Sequence, residues 1–254
     1  MVMSPPPDRE VIWHDLECGG YRADLCLWRE LAAAQASQGK TATVLDIGAG
    51  TGRVALDLAG AGHHITALDR SPQLLGALSE RAREAGLEIT TALADARRFE
   101  LSHRIFDLCL VPMQTLQLLR GESERRALFA SARTHLRPGG LLAVAIVTDV
   151  DPFDSRTGGL GPSPERVTIA GSTYLSRAVQ VQCLERFIRI ERERLVMPAG
   201  GERAPAEIDV IELERLDELE LWAEGRAEDL LAEPTVTIPE TDEHSSSEVV
   251  ILRA

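Results

Sequence analysis

The stretch Val44-Leu45-Asp46-Ile47-Gly48-Ala49-Gly50-Thr51-Gly52 decides the fold of this chain. An aliphatic run carrying one acidic residue leads into three glycines at alternate positions, and an amphipathic stretch from Arg53 to Ala59 follows. Strand, glycine-rich turn and helix in that order are the opening of a βαβ unit. Glycines at 48, 50 and 52 let the backbone turn tightly and approach a ligand that a Cβ would exclude. The helix that starts there offers N–H groups and the positive end of its dipole to a carboxylate. Asp46, at the strand end, brings a charge suited to an ammonium group.

A dinucleotide fingerprint G-x-G-x-x-G counted from Gly48 needs its third glycine at position 53, where Arg53 stands. A pyrophosphate ligand is therefore the weaker reading. Further on, Ile65-Thr66-Ala67-Leu68-Asp69-Arg70-Ser71 ends the next strand on an acidic residue about 20 positions beyond the glycines, placing Asp69 to accept two ribose hydroxyls.

Outward from this unit, aliphatic runs predict strands at 43–47, 65–68, 88–93, 107–111 and 141–147, and helical spacing predicts helices at 53–59, 72–85 and 122–136. Pro138-Gly139-Gly140 reads as the stop of the last of these helices. Upstream, 21–35 is expected to be a helix, with Trp13–Gly20 leading into it and able to fold over the cleft. Downstream, Pro, Gly and Asp make 151–165 a loop, followed by strands at 167–175, 179–196 and 207–213 with a turn at Pro198–Gly201. A helix at 215–225 and strands at 235–238 and 248–252 close the chain. The expected organisation is an N-terminal helical cap over 1–40, an α/β core over 41–150, a β-rich insertion over 151–213, and a C-terminal helix and hairpin over 214–254 that complete the core sheet.

The 27 Lys+Arg residues stand against 40 Asp+Glu, giving a net charge of −13 with no basic cluster, which disfavours nucleic acid and other polyanions as partners. No apolar leader is visible, and the longest aliphatic run, 141–147, is too short to span a bilayer, so a cytoplasmic protein without a membrane partner is expected. Cys18, Cys26, Cys109 and Cys183 show no C-x-x-C spacing and read as reduced, mostly buried thiols.

From about Trp13 to Leu252 the sequence resembles the class I S-adenosylmethionine-dependent methyltransferases. Val44–Gly52 stands as the family's first motif and Ala67–Ser71 as its second. Ala94-Asp95-Ala96-Arg97 stands as the third, and Val111–Gln117 looks like the segment that flanks cofactor and substrate. The resemblance implies a Rossmann-like seven-stranded sheet of order 3-2-1-4-5-7-6, with the antiparallel insertion as a lid, a homodimer element or both. It implies S-adenosylmethionine as cofactor and S-adenosylhomocysteine as product. Asp46, Gly48, Ala49, Gly50 and Gly52 would seat the aminoacyl tail, and Asp69 and Arg70 would flank the ribose. Asp95 would take the adenine amino group, Ala96 the ring through its N–H, and Pro112 and Met113 would line the pocket. Tyr21 looks like a further cofactor contact, the alternative being a helix-surface tyrosine.

Methyl transfer from a sulfonium is an in-line displacement, so an enzyme must align nucleophile and methyl, exclude water and remove a proton where required. Candidate bases are His14, Tyr21, Asp149 and Asp151, with a solvent-facing His14 as the alternative. Gln114 and Gln117 can orient an acceptor or cap local backbone, while His63 and His64 are expected at the surface. Asp149, Asp151 and Asp154 raise a metal reading, but Pro112-Met113-Gln114 stands where an acidic ligand is needed, so no metal is expected. The Pro-Pro-aromatic and Pro-Cys signatures of nucleic-acid methylation are absent. The reading that follows is an N- or O-methyltransferase for a small-molecule acceptor. Its rivals are a non-methylating or sensory binder of the same cofactor, a nucleic-acid or protein methyltransferase, and a nicotinamide oxidoreductase.

Overall fold

Successive residues of the central strands point into opposite layers, and both layers are apolar, as a sheet covered by helices on two faces requires. Val44, Leu108, Ala143, Val249 and Ile251 join Trp28, Leu58 and Leu78 in one buried cluster. Their neighbours Leu45, Cys109, Val144, Val250 and Leu252 join Leu128, Phe129 and Leu221 in the other.

The computed structural model describes residues 8–36, 41–102, 105–158, 161–200, 204–241 and 244–254. The Met1–Pro7 leader reading and Gly201 of the expected turn lie outside the described residues. In chain order the elements are α1 (Arg9–Cys18), α2 (Leu25–Gln35), β1 (Thr43–Ile47), α3 (Arg53–Gly60), β2 (His64–Asp69), α4 (Pro72–Glu84), β3 (Ile89–Leu93) and β4 (Phe106–Val111). They continue with α5 (Gly121–His135), β5 (Leu136–Ile146), β6 (Phe153–Asp154), β7 (Glu165–Ile169), β8 (Ser172–Cys183), β9 (Phe187–Met197) and β10 (Glu207–Glu214). The last are α6 (Glu218–Ala227), β11 (Leu231–Ile238) and β12 (Ser247–Arg253). No described helix is long and apolar enough to cross a membrane.

The chain forms two units. Residues 21–148 and 216–254 hold a seven-stranded sheet of order β11-β12-β5-β4-β1-β2-β3, the order expected from the sequence with β12 as seventh strand and β11 as sixth. β1 to β5 are parallel and β12 runs against both β5 and β11. The carboxyl ends of β1, β2, β3 and β4 therefore share one edge, and the β11–β12 loop returns to it. Ser71 caps α4, accepting from the Leu74 N–H at 3.3 Å, and Asp217 and Glu220 form a capping box on α6. Between α5 and α6, Arg125 and Glu224 form a buried ion pair.

Residues 8–20 and 149–215 form the other unit, so the 1–40 segment is divided at Gly20 rather than forming one cap. Its sheet has the order β10-β9-β8-β6, with β7 also on β8. Ala170 and Gly171, at φ 49° and 80°, make the two-residue turn between β7 and β8. α1 packs on this sheet through Trp13, edge-on to Tyr174 at 5.4 Å, and through Glu17, which bonds Ser176, Arg192 and Arg194.

Several local expectations need correction. The single strand expected over 179–196 is two, broken at Leu184–Arg186, where the Leu184 N–H bonds the Phe187 carbonyl at 2.8 Å. α5 ends at His135, and Pro138-Gly139-Gly140 lies inside β5, where Gly139 and Gly140 pair with the terminal Ala254. Residues 153–154 of the expected loop pair with Val181 and Gln180. β11 starts before Pro234 because this edge strand accommodates the proline at an irregularity between Glu233 and Val236. Of the four cysteines only Cys109 is buried; Cys26 and Cys183 are exposed.

Candidate functional site

The three glycines of the β1–α3 turn all have positive φ: 75° at Gly48, 56° at Gly50 and 93° at Gly52. Side chains would be strained there. The reason for bare positions is partly packing. A Cβ on Gly48 would come 2.5 Å from Thr115 Cγ2, and one on Gly52 would come 2.7 Å from Leu78 Cγ. The turn's own N–H groups are also engaged. Gly48 and Ala49 donate to the Leu68 carbonyl at 2.8 and 3.0 Å, Gly52 donates to Ala49 at 2.9 Å, and Gly50 donates to Asp69 Oδ2 at 2.8 Å. Donors for a ligand are therefore those of the first turn of α3, which have no preceding helical carbonyl.

Asp46 is 1% exposed, and neither carboxylate oxygen has a hydrogen-bond partner among the described residues. Burial pushes its pKa up to about 7. The Arg53 guanidinium opposes that rise, the Asp69 and Asp24 carboxylates add to it, and the Ala55 N–H of α3 approaches without meeting hydrogen-bond geometry. A buried carboxylate without a donor is costly, and a ligand ammonium is the kind of partner it lacks.

Asp69, half-buried at the end of β2, is braced by two backbone donors, Gly50 N–H to one oxygen and Ser71 N–H to the other at 2.9 Å. Each oxygen keeps a lone pair directed elsewhere. Asp95, past β3, is gripped by Arg97 through Nε at 2.9 Å and Nη2 at 2.6 Å. Hydrogen bonds from the Arg97 side chain and N–H, with Arg70 adding a weaker pull, hold its pKa down at about 2. Ala96 is half-buried beside it and Arg70 is exposed.

After β4, Pro112 is buried and Met113 takes φ 54°, a backbone region that costs a side-chain-bearing residue energy and recurs at functional sites. Thr115, which meets Gly48, donates to the Pro112 carbonyl at 3.0 Å. Gln117 is fully buried and clamps Val147, donating to its carbonyl at 2.9 Å and accepting from its N–H at 2.8 Å. Gln117 is thus a backbone clamp, whereas Gln114 is half-buried on the loop.

Tyr21 is not on a helix surface: it precedes α2 and is 7% exposed. Its ring meets His244 of the β11–β12 loop in a tilted contact, centroids 4.8 Å apart, and its hydroxyl is buried near Ser247 without a hydrogen bond. Burial first, then Asp24, raises the pKa of that hydroxyl. Arg53 donates to the Tyr21 carbonyl at 3.1 Å and to both oxygens of Asp24. Sequence reasoning missed this Asp24–Arg53 pair and His244; neither has a local sequence signal.

His14 is half-buried on α1, in the other unit. The His63 Nδ1 accepts from the Ala42 N–H at 3.2 Å, while His64 is exposed. Asp149 and Asp151 are exposed, and Asp154 is engaged by Arg156 and by Gln180 at 2.6 Å.

Residues 44–140 match the model of the family described as "Methyltransferase domain". An uncharacterised protein of Mycobacterium tuberculosis is 43% identical over 67 residues, 26% of this chain and 24% of the relative. The cypemycin N-terminal methyltransferase of Streptomyces is 31% identical over 118 residues, 46% of each chain. The chain thus spans about a quarter to a half of the length of these curated relatives. Among solved structures, the sugar N-methyltransferase KedS8 of Streptoalloteichus superposes with a TM-score of 0.73 at 17% identity, covering 100% of this chain and 96% of that one. Residues 44–140 therefore match the methyltransferase-domain family, in a chain that shares its Rossmann-like fold with solved methyltransferases.

Proposed function

We propose that this chain transfers a methyl group from S-adenosylmethionine to the amine nitrogen of a small molecule. The observation that carries the reading is Asp46, a buried carboxylate without a donor, next to the first turn of α3. An aminoacyl tail answers both features at once, its ammonium meeting Asp46 and its carboxylate meeting the α3 N–H groups. Asp69, already braced by the backbone of the glycine turn, would accept the ribose hydroxyls. Asp95 would accept from the adenine amino group while Arg97 holds it ionised, and the Ala96 N–H would meet the ring. Pro112 and Met113 would pack beside the nucleoside.

When bound, the cofactor supplies a sulfonium methyl: the acceptor's lone pair forms the new C–N bond as the C–S bond breaks, and the product amine loses one proton. The chain's task is alignment and exclusion of water. Tyr21, held protonated by burial, suits hydrogen-bond donation rather than proton removal. Among the remaining candidates, His14 suits proton removal by its chemistry and Gln114 suits acceptor orientation. We assign acceptor choice to the β-rich unit, because the family match over 44–140 accounts only for the donor side. The names of the sugar N-methyltransferase and the cypemycin N-terminal methyltransferase support nitrogen as the acceptor atom.

The test offers labelled S-adenosylmethionine with a panel of small amines, amino sugars included, and matched alcohols. Label on nitrogen with release of S-adenosylhomocysteine is expected. Label on alcohols only, or none in a protein that binds the cofactor, would contradict the assignment.

A further inference from the structure

The residue that spoils the dinucleotide fingerprint is the most heavily bonded side chain at the glycine turn. Arg53 Nη1 and Nη2 grip the two oxygens of Asp24 at 2.5 and 2.7 Å, and Asp24 also accepts from the Trp28 indole N–H at 2.7 Å. Nη1 donates as well to the Tyr21 carbonyl at 3.1 Å, and the guanidinium carbon lies 5.2 Å from the centre of the Tyr21 ring. The Arg53 and Asp24 side chains are only 8% and 1% exposed.

We propose that Arg53, held by Asp24, is a positioning residue of the donor site: it fixes Tyr21 beside the glycine turn and sets a cationic field against the unpartnered Asp46 carboxylate. The inference rests on the donor-site reading given above. A planar fork that binds a carboxylate and a carbonyl while lying near an aromatic ring is a task for arginine and not for lysine. A buried pair of this kind adds little stability over apolar packing, so a bare structural role explains poorly why it is built at the turn. The charged groups that bear on Asp46 are Arg53 from α3, Asp69 from the end of β2, and Asp24 from the turn before α2. β4, paired to Asp46 at Leu110, brings no ionisable side chain at that register. Arg53 bonds Asp24 directly and is the one cation among the charged groups that bear on Asp46. Loss of Arg53 leaves Asp46 harder to ionise, and a ligand ammonium then meets a neutral acid over a wider pH range. Asp24 has the opposite, smaller influence, so losing both partners still acts in the direction of losing Arg53.

The experiment is calorimetric titration of the full chain with S-adenosylhomocysteine from pH 5.5 to 9, for wild type, Arg53→Gln, Arg53→Lys and the double variant Asp24→Asn/Arg53→Gln. The double variant keeps polar groups without charge and guards against a fold lost to an unpaired Asp24; unfolding curves identify the folded variants. Arg53→Gln should bind about tenfold more weakly at pH 7, with the midpoint of the pH–affinity curve raised by about one unit. Arg53→Lys should return the midpoint toward wild type but not the full affinity, since the charge is kept and the fork is lost. The double variant should show the raised midpoint. A folded Arg53→Gln or double variant with wild-type affinity and midpoint overturns the proposal, even if its thermal stability has dropped. Wild type that does not bind at any pH instead removes the donor-site reading itself.

Discussion

Replacing Asp46 by Asn removes a charge and keeps the shape of a side chain that is 1% exposed. The native carboxyl titrates at about 7 against an ordinary value of 3.8. The folded protein therefore binds more protons than the unfolded chain between those limits. Stability contributed by the neutral acid is complete below the unfolded value and is lost as pH rises through the folded one. The slope approaches ~1.4 kcal/mol per pH unit, so roughly 3 kcal/mol is lost between pH 5 and 8 in the ligand-free protein. Asp46→Asn has no such group. Urea unfolding of both proteins across that range, without ligand, should show the variant gaining about 3 kcal/mol on wild type, whatever fixed offset its buried amide introduces. S-adenosylhomocysteine should reverse the trend. Wild-type affinity should rise by up to about tenfold per pH unit below pH 7, as the ligand ammonium draws out the ionised form, while the variant stays flat. Stability curves for wild type and Asp46→Asn that run parallel with pH would refute the reasoning, because the buried carboxyl would then not be titrating as the site requires.

Asp69→Ala removes the acceptor for two ribose hydroxyls and should weaken S-adenosylhomocysteine binding by about 1–3 kcal/mol, read by calorimetry on folded material. Gly48→Ala should destabilise the fold by several kcal/mol (about 1–3 from overpacking plus the strain of positive φ), and Thr115→Ala should return part of that loss, since Thr115 Cγ2 is the atom a new Cβ meets at 2.5 Å. Equal losses in the single and double variants would argue against that contact. Gln117→Leu strands the Val147 N–H and carbonyl inside the protein and should cost about 2–4 kcal/mol in denaturant unfolding. Glu224→Gln leaves the Arg125 charge buried and should cost about 3–5 kcal/mol, with Glu224→Gln/Arg125→Met less damaging than the single change.

The α/β frame was legible because it is written locally. Val44–Gly52 holds strand and glycine turn within nine residues, the helix starts at Arg53, and the period of two that separates Val44 from Leu45 marks a sheet buried on both faces. The positions of Asp46, Asp69 and Asp95 at or just past the carboxyl ends of β1, β2 and β3 are legible too. What the sequence does not carry is partnership at a distance. Asp24 and Arg53 are 29 positions apart, and Tyr21 meets His244 from the far end of the chain. Turns made without Gly, Pro, Asn or Asp also escape notice: Leu184-Glu185-Arg186 has the composition of the strands it joins. Pro138-Gly139-Gly140 misleads in the other direction, because β5 holds these residues by pairing with the terminal Ala254, which no local reading anticipates.

The most direct measurement is a crystal structure of the protein grown with S-adenosylhomocysteine. The account predicts the ammonium at hydrogen-bond distance from Asp46, about 2.7–2.9 Å, with the ribose hydroxyls on Asp69 and the adenine amino group on Asp95. A ligand seated elsewhere, with Asp46 still lacking a donor, would contradict it.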